Sequence, residues 1–313
     1  QDITYETFTE RIANVQRRMD EEHPGSVILG YSWSDTDIMP DHLINCAQER
    51  LELMKARQRD AQSSDLRLRE IRLQRLLDAM KARNFRVYLQ PKADIASGKI
   101  VGAEALIRYS DRKHKLVPPI KFIPQIEAEN NIRYIDFFVL NEVCAAIASW
   151  KKRGFPLMAV SLNFSRRTFM ENNLTDKINA VIDRFGIEHS LLEIEITEST
   201  GDIERRTLSE IGRQLTASGY KLYLDDFGSE YSNIATLTSL PISGLKFDKS
   251  LINDLYSNSK AGVLIKNLLN VCNEMEIDSI AEGVEEPEQL EILKSLGCTL
   301  AQGYLFNKPI PIR

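Results

Sequence analysis

The sequence predicts an α/β protein whose main body is a (β/α)8 barrel. From residue 85 onwards, short apolar runs that are typical of buried strands alternate with helical patterns and with Gly or Pro. Eight such runs fall within about 225 residues, which is close to the size of a (β/α)8 barrel. An open doubly wound sheet is the alternative, but the glycine-rich phosphate-binding motif that it would need is not found in the sequence.

The predicted strands follow one another with helical stretches between most of them. Two such stretches are IDFFVLNEVCAAIASWKKRG and KAGVLIKNLLNVCNEME. The strands read, in chain order, VYLQ, IVGAEALIRY, AVSLN, LLEIEIT, KLYLD, GLKFD, SIAEG and TLAQG. This alternation predicts βα repeats and a parallel or mostly parallel sheet.

The sequence pattern of the first 58 residues predicts a small, partial α/β segment. They contain a helical pattern (YETFTERIANVQRRM), a strand-like run (SVILGYSW) and a second helical pattern (DHLINCAQERLELMKAR). A connecting helix is predicted within residues 59–83, where one apolar stripe consists of Leu66, Leu73, Leu77 and Met80. We therefore expect three parts, at residues 1–58, 59–83 and 84–313.

Composition narrows the classes of partner. The formal net charge is −5 and no long basic block occurs, so neither a nucleic acid polymer nor a membrane surface is an expected partner of this piece. The four cysteines, at positions 46, 144, 272 and 298, are far apart in the sequence, which favours reduced thiols and a cytoplasmic location. Because the sequence begins with Gln, we expect a piece of a longer protein, with the cytoplasmic part of a membrane-anchored protein as an alternative.

Polar side chains stand at the end of nearly every predicted strand. The carboxyl ends of barrel strands meet on one face, where active sites are built, so these side chains are expected to converge. They are Glu104, Asn163, Glu195, Glu198, Asp225, Asp226, Lys246, Glu282 and Gln302. Alone, each motif has a simpler explanation: EALIR is an ordinary strand, EGVE a helix start, and DDFG or Glu198 a cap. The joint pattern at seven strand ends is much harder to explain by caps and turns.

The charge of this cluster indicates a cation site. Five or more carboxylates around one opening repel one another unless cations neutralise them. Oxygen ligands without a histidine or cysteine cluster favour Mg²⁺ or Mn²⁺ over Zn²⁺. Adjacent Asp225 and Asp226 suit two metals held about 4 Å apart, with Lys246 holding a water or balancing phosphate charge. None of the four histidines stands at a strand end, so none is assigned to catalysis.

Taken together, these motifs resemble those of a known family, the EAL-domain phosphodiesterases that hydrolyse the bacterial messenger cyclic di-GMP. The similarity covers residues of about 66–311. Its motifs, in order, are LQP at 89–91, EALIR at 104–108, SLNFS around 163, EITES at 195–199, DDFG at 225–228, LKFD at 245–248, AEGVE at 281–285 and QGYLF at 302–306. The resemblance implies a modified (β/α)8 barrel and hydrolysis of one phosphodiester to linear 5'-pGpG, with Mg²⁺ or Mn²⁺, two per active site.

The resemblance also implies residue roles. The implied metal ligands are Glu104, Asn163, Glu195, Asp225, Asp226 and Glu282. The implied catalytic residues are Lys246, which positions water, Glu282, which is a candidate general base, and Glu198, which orders the loop after the two aspartates. The implied substrate contacts are Gln90, Leu106, Arg108, Asp248, Glu285 and Gln302, the last of which also lies near the second metal. A homodimer through the barrel is expected by analogy with the family.

One loop of the chain differs from the sequence that is usual in the family. In the loop at 229–233 the family often has Thr-Gly-Tyr-Ser-Ser, whereas this sequence reads SEYSN. This change motivates an alternative, a cyclic di-GMP receptor that binds without hydrolysis; a scaffold that only dimerises is a third and weaker hypothesis.

Residues 1–58 are similar to the last part of a GGDEF domain, although the GGDEF signature itself is absent from the sequence.

The two glutamates of EIEITES are predicted to differ in role. Glu195 should point into the barrel mouth, whereas Glu198 follows the strand and should order the neighbouring loop. We expect Glu195→Ala to impair metal binding directly, and Glu198→Ala to lower turnover more than affinity for cyclic di-GMP. Titration of metal and ligand into both variants, with hydrolysis measured at saturating metal, checks this. Identical behaviour of the two variants, or full recovery of Glu198→Ala in excess Mn²⁺, would contradict it.

Overall fold

The fold was examined in a computed structural model of the chain. The residues that it describes are 4–22, 29–33, 44, 46–52, 54, 64–110, 115–197, 205–228, 234–255 and 259–312. The predictions made for Glu198 and for the loop at 229–233 lie outside these residues, as do residues 26–28 of the predicted strand and part of the second helical pattern. The chain divides into two compact units, residues 1–85 and 86–313.

Most of the described residues of the first unit are helical. It contains α1 (Tyr5–Glu22), a helical segment that includes residues 46–52, and α2 (Ser64–Lys81). Leu73, Leu76 and Met80 form the buried stripe of α2, because the spacing of three and four residues places them on one face. The run predicted as a strand is described at residues 29–33, and these form no strand. The described part of this unit offers that run no neighbouring strand to pair with.

The second unit contains ten strands and nine further helices among its described residues. The strands are β1 (Phe85–Asp94), β2 (Ile100–Ser110), β3 (Leu116–Val117), β4 (Ala159–Phe164), β5 (Leu192–Thr197), β6 (Lys221–Phe227), β7 (Gly244–Phe247), β8 (Asp278–Ala281), β9 (Leu300–Gln302) and β10 (Ile310–Pro311). The helices are α3 (Ile123–Ala128), α4 (Ile132–Lys152), α5 (Arg166–Phe169), α6 (Leu174–Phe185), α7 (Arg205–Ala217), α8 (Ile234–Ser239), α9 (Lys249–Asn253), α10 (Ser259–Glu274) and α11 (Pro287–Ser295).

Eight of these strands close into a barrel. The order around it is β1, β9, β8, β7, β6, β5, β4 and β2, and β2 pairs with β1 again. Neighbouring strands from β2 through β9 pair in parallel, whereas β1 runs antiparallel to β9. All eight predicted strands are present, so the predicted barrel is confirmed. The antiparallel β1 and the two short additional strands, β3 and β10, are the departures from a regular (β/α)8 barrel.

The helices cover the barrel with apolar faces. On α4, Leu140, Val143 and Ile147 are completely buried, and their spacing places them on one side of the helix, which packs beside β4. The strands themselves are rich in buried Ile, Leu and Val, as expected for a parallel sheet that is covered on its outer face. Among the described residues, no helix combines the length and apolar character that crossing a bilayer requires.

The cysteines are free and buried, as predicted for structural thiols. Burial raises the pKa of the thiols of Cys144 and Cys272 to about 12, and that of Cys298 to about 11. These thiols therefore stay protonated at neutral pH, which makes them poor nucleophiles.

A buried carboxylate ties α4 to the chain that leaves β4. Asp136, on α4, accepts hydrogen bonds from the backbone N–H of Ser165 (3.0 Å), from the Ser165 hydroxyl (2.6 Å) and from the Thr168 hydroxyl (2.5 Å). Ser165 in turn caps the short helix α5. Burial raises the pKa of Asp136 to about 6, although the hydrogen bonds from Ser165 and Thr168 act in the opposite direction.

Asp136→Ala should therefore destabilise the barrel. The change leaves three buried donors without their acceptor, which costs about 3 kcal/mol or more of the free energy of unfolding. Denaturant unfolding at pH 7 measures the loss. Asp183→Ala is the matched control, since the side chain of Asp183 is 74% exposed and the expected change is below about 0.5 kcal/mol. Equal effects of the two substitutions would contradict the assignment of Asp136 as an anchor.

Candidate active site

The predicted strand-end residues meet at one end of the barrel. Most of them lie near or directly after the carboxyl end of a parallel strand, whereas Glu104 lies near the middle of β2 and the β1 residue that joins them, Gln90, lies near the middle of that antiparallel strand. The residues and their strands are Glu104 on β2, Asn163 on β4, Glu195 on β5, Asp225 and Asp226 on β6, Lys246 on β7, Glu282 after β8 and Gln302 on β9. The convergence that the sequence predicted is thus found.

A buried ammonium group lies at the centre of the site. The side chain of Lys246 is fully buried, and four carboxylates surround its Nζ. The nearest carboxylate oxygens are those of Glu282 at 2.7 Å, Glu195 at 2.8 Å, Asp225 at 3.0 Å and Glu104 at 3.5 Å. The prediction that Lys246 belongs to the acidic cluster is therefore met by direct contact.

Two amide side chains hold Glu104. Asn163 donates a hydrogen bond from Nδ2 to Oε1 of Glu104 at 2.7 Å, and Gln302 donates from Nε2 to Oε2 at 2.5 Å. The same Nε2 lies 3.3 Å from Oε1 of Gln90. These donors, together with Lys246, lower the pKa of Glu104 even though its complete burial raises it. Glu104 is consequently an ionised carboxylate in this site.

A bulge in β6 allows two consecutive aspartates to serve the same opening. In a regular strand, neighbouring side chains point to opposite faces. Here the pairing of β6 with β7 shifts register between Leu224 and Phe227, and Asp226 adopts a left-handed backbone conformation with φ of 57°. The N–H of Asp226 also donates to Oδ1 of Asp225 at 2.9 Å. The bulge re-aims Asp226, which explains why a pair of adjacent acids is used here.

The acids form two groups that share one member. Glu104, Glu195 and Asp225 make one group, and Asp225, Asp226 and Glu282 make the other; within each, the potential ligand atoms lie within 4.8 Å of one another. All ligands are oxygens, which suits a hard divalent cation such as Mg²⁺ or Mn²⁺. These residues can hold cations in two neighbouring positions.

Charge counting agrees with two cations. Five carboxylates face a single ammonium group, which leaves a formal charge of −4 when all are ionised. Two divalent cations would balance that charge. An uncompensated charge of this size inside a barrel is too costly to persist, so without cations some of the carboxyl groups must bind protons.

Two buried oxygens in the site have no hydrogen-bond partner among the residues that the structure describes. They are Oε1 of Glu195 and Oε1 of Gln302. Buried oxygen atoms of folded proteins nearly always accept a hydrogen bond or bind an ion, so each such atom needs an explanation. Both lie beside Glu104 or Lys246, and both are oxygen donors of the type that Mg²⁺ and Mn²⁺ accept. The donor set therefore fits a metal site.

The carboxyl groups respond to this crowding with raised pKa values. Burial raises the pKa of Glu195 to about 8, with further contributions from Glu104 and Asp225 that oppose the attraction of Lys246. Burial and the adjacent Asp225 raise the pKa of Asp226 to about 6. Burial likewise raises the pKa of Asp225, and that of Glu282 well above its ordinary value.

Lys246 responds in the opposite sense. Burial alone would lower the pKa of its ammonium group, but the surrounding carboxylates outweigh burial and raise it well above its ordinary value. Lys246 is therefore a permanent cation and hydrogen-bond donor in this site. It does not act as a base.

The predicted substrate residues lie outside the acidic cluster, with the exception of Gln90 and Gln302. Arg108 is half-buried, and its Nη1 donates to the carbonyl of Ile107 at 2.9 Å, so its guanidinium keeps other donors available. Leu106 is partly exposed two residues before it. Asp248 accepts a hydrogen bond from the N–H of Ser250 at 2.8 Å and thereby caps α9.

Glu285 has a partner that the sequence analysis missed. Its Oε1 lies 2.5 Å from Nζ of Lys249, and both side chains are close to half exposed. The stem of Lys249 runs over Gly283, where an added Cβ would come within 2.4 Å of Cγ of Lys249. The signal was available, since Lys249 directly follows Asp248 in the LKFD motif.

The described histidine lies away from the site. His189 stacks on Tyr220 with ring centroids 4.9 Å apart, and its Nδ1 lies 2.6 Å from the carbonyl of Ser218. It packs on the outer part of the fold, as the sequence analysis expected. The other three histidines are outside the described residues.

Comparison with known sequences gives a consistent result. Residues 73–309 match the EAL domain family. The chain is 31% identical over 236 residues to the oxygen sensor protein DosP of Escherichia coli, covering 75% of this chain and 30% of that protein. It is 33% identical over 236 residues to the bifunctional diguanylate cyclase/cyclic di-GMP phosphodiesterase MucR of Pseudomonas aeruginosa, covering 75% of this chain and 34% of MucR. The chain thus spans about a third of the length of these relatives.

Solved structures share the fold. The PaMucR phosphodiesterase in complex with c-di-GMP superposes with a TM-score of 0.71 and 33% identity, covering 76% of this chain and 97% of that one. An EAL domain protein from Listeria monocytogenes superposes with a TM-score of 0.66 and 31% identity, covering 75% of this chain and 92% of that one.

Metal binding by this site should strengthen as the pH rises. With a pKa of about 8, Glu195 is mostly protonated at pH 6 to 7 and must release that proton to bind a cation. The affinity for Mn²⁺ should therefore increase between pH 6 and pH 8, by up to about tenfold per pH unit for each proton released. Isothermal titration with Mn²⁺, in buffers of different ionisation enthalpy, measures both quantities.

Glu285→Gln is the control for this measurement, because Glu285 belongs to neither acidic group. This variant should keep the pH dependence of the wild type. An affinity for Mn²⁺ that does not change between pH 6 and pH 8, with no proton released, would contradict the proposed protonation of the site.

Proposed function

Because this chain belongs to the EAL domain family, we propose that it is a metal-dependent phosphodiesterase that hydrolyses cyclic di-GMP to linear 5'-pGpG. The observation that carries the proposal is the pair of acidic groups that share Asp225 around the buried ammonium of Lys246. Such a pair, in one barrel mouth, suits an in-line displacement at phosphorus. MucR and NbdA of Pseudomonas aeruginosa, which are 33% and 30% identical, carry the name cyclic di-GMP phosphodiesterase and support it.

We propose two cations of Mg²⁺ or Mn²⁺ for this site. The residues that would hold them are Glu104, Asn163, Glu195, Asp225, Asp226 and Glu282, with the amide of Gln302 nearby. When bound, such ions polarise phosphoryl oxygens and lower the pKa of water.

The side chains of the chain supply the remaining chemistry. Linear 5'-pGpG keeps the phosphate on its 5' oxygen, so the bond that breaks is between phosphorus and the 3' oxygen, and the oxygen of water forms the new bond. Lys246 donates a hydrogen bond that positions this water, since its raised pKa keeps it protonated. Glu282, whose carboxylate lies 2.7 Å from Nζ of Lys246, accepts the proton of the water. The 3' oxygen leaves as a hydroxyl by taking up a proton from solvent, and Glu282 returns its proton to solvent, so the net reaction adds one water.

Recognition of the dinucleotide is assigned to the residues around this cluster. Arg108 suits a phosphate oxygen, because its planar fork of donors matches that group and is not used up by its contact with Ile107. The other proposed contacts are Gln90, Leu106, Asp248, Glu285 and Gln302. Of these, Glu285 is held by Lys249 and would be released to a donor of the ligand.

The second candidate is a receptor that binds cyclic di-GMP without hydrolysis. The sequence of the loop at 229–233, SEYSN, departs from the family pattern and favours it. Incubation with cyclic di-GMP and Mg²⁺ or Mn²⁺, followed by chromatography, distinguishes the two functions. Binding without any linear product would establish the receptor and refute the enzyme.

Four further assignments are proposals of the same kind. We propose that residues 1–58 are the C-terminal remnant of a GGDEF-like domain, joined to the barrel by the helix within 59–83. We propose a homodimer through the barrel, which sedimentation at high protein concentration tests. The reduced, buried cysteines support a cytoplasmic site of action. Glu198 keeps its proposed role in ordering the loop that follows β6.

Asp226→Asn tests the proposed chemistry. The change removes a charged ligand from one acidic group while keeping the size of the side chain and its capacity to adopt the left-handed conformation. Turnover of cyclic di-GMP should fall on the order of a hundredfold or more, with the fold and much of the ligand binding retained. Chromatographic rate measurements at saturating Mn²⁺ give the ratio.

Asp183→Asn is the matched control, since it makes the same chemical change on an exposed side chain of α6. It should leave turnover unchanged. Near-normal turnover of Asp226→Asn would mean that Asp226 is a turn residue only, and the two-cation proposal would then fail.

A further inference from the structure

A second polar cluster lies deeper in the barrel, below the acidic site. Lys92, on β1, is buried and bonds the carboxylate of Glu193 through a short contact, and its Nζ donates to the hydroxyl of Ser161 at 2.6 Å. That hydroxyl lies 3.3 Å from Oε2 of Glu193, so the three side chains form a closed triangle. None of the three was assigned a role above.

The cluster continues to the lower edge of the barrel through Tyr223. The Nζ of Lys92 lies 5.2 Å from the centroid of the Tyr223 ring, and the hydroxyl of Tyr223 lies 3.4 Å from Glu193 and 2.7 Å from Asp278. All polar atoms of Lys92 and Glu193 are therefore engaged. A buried ion pair with this many hydrogen bonds satisfies the condition under which such a pair is tolerated inside a protein.

Two strand glycines leave room for these side chains. A Cβ at Gly244 would lie 2.3 Å from Cε1 of Tyr223, and a Cβ at Gly102 would lie 3.3 Å from Cε of Lys92. Glycine inside a strand is unfavourable unless another group occupies the space beside it. The interior of the barrel is thus built around Lys92 and Tyr223.

The position of this cluster relates it to the acidic site. Side chains two residues apart on a strand point to the same face. Ser161 precedes Asn163 by two residues on β4, and Glu193 precedes Glu195 by two residues on β5. Lys92 pairs across the ladder with Gln302, whose amide holds Glu104. Lys92 therefore joins β1 to β4 and β5 directly beneath Asn163 and Glu195.

We propose that Lys92, acting through Glu193 and Ser161, is a positioning residue for the metal ligands Asn163 and Glu195. β1 is the strand that closes the barrel and runs against its neighbour β9, so the parallel repeat does not fix its placement. The ion pair between Lys92 and Glu193 fixes the position of β1 from inside the barrel. It also sets the positions of β4 and β5 along the barrel axis relative to β1. This inference rests on the proposed metal site and adds residues to it that bind no cation themselves.

Titration with Mn²⁺ alone tests the inference, with thermal unfolding measured in parallel. Lys92→Met should weaken Mn²⁺ binding by about 10- to 100-fold, the range typical of groups that orient metal ligands. Its turnover should recover when Mn²⁺ is raised in proportion. Lys221→Met is the control, because Lys221 is exposed and touches only the far end of the cluster, at 3.7 Å from Asp278. It should bind Mn²⁺ like the wild type.

A double variant separates positioning from stability. Lys92→Met/Glu193→Leu replaces the ion pair by apolar groups, a change that often restores stability or improves it. We expect this variant to unfold near the temperature of the wild type and still to bind Mn²⁺ weakly. If it regains both stability and Mn²⁺ affinity, the pair only compensates its own charges and the inference is overturned.

The remaining outcomes are also decisive. Wild-type affinity for Mn²⁺ in Lys92→Met overturns the inference but not the metal site. A wild-type protein that binds no Mn²⁺ refutes the proposed metal site, which is a different result. If the Lys92 variants do not fold, Ser161→Ala decides: a weaker affinity for Mn²⁺ supports positioning, and an unchanged affinity overturns it.

Discussion

The site depends on the repulsion among five carboxylates that are gathered around one buried ammonium group. In water such a cluster would disperse, but the strands of a closed barrel cannot move apart without breaking their ladders. The fold therefore stores electrostatic strain, which protons or cations relieve. Lys246 reduces this strain and is itself held charged by it. The amide hydrogen bonds to Glu104 and the raised pKa of Glu195 both follow from the balance between repulsion among the carboxylates and their attraction to Lys246.

The barrel accommodates these carboxylates through local departures from a regular (β/α)8 barrel. Strand alternation alone would give one inward acid per strand end, and the bulge at Asp226 adds one more. The antiparallel β1 brings an amide, Gln90, to a ring of side chains that otherwise come from parallel strands. Below them, glycines in two strands admit a lysine and a tyrosine into a space that most barrels fill with branched apolar residues. The bulge and Gln90 lie at the site, and the two glycines lie below it.

The features that the sequence predicted are those that depend on the periodicity of apolar residues and on the residues at the ends of strands. The eight barrel strands and the convergence of Glu104, Asn163, Glu195 and Lys246 follow from alternation, because the carboxyl ends of parallel strands share a face. Features that depend on contacts between distant residues were not predicted. Lys92 and Glu193 are 101 positions apart, and nothing in either motif indicates the other. The direction of β1 and the absence of a strand at 29–33 also depend on which neighbours are available for pairing, which single-sequence patterns do not reveal.

One carboxylate belongs to both acidic groups. Because Asp225 is common to them, the two proposed cation positions cannot be thermodynamically independent. An ion in one group ionises and orients a ligand that the other group also uses, which favours a second ion, while the like charges of the two ions oppose it. The coupling free energy is the difference between these effects, and it passes through a single side chain. In the proposed two-cation site, the affinity of either position for a divalent cation therefore depends on whether the other position is occupied.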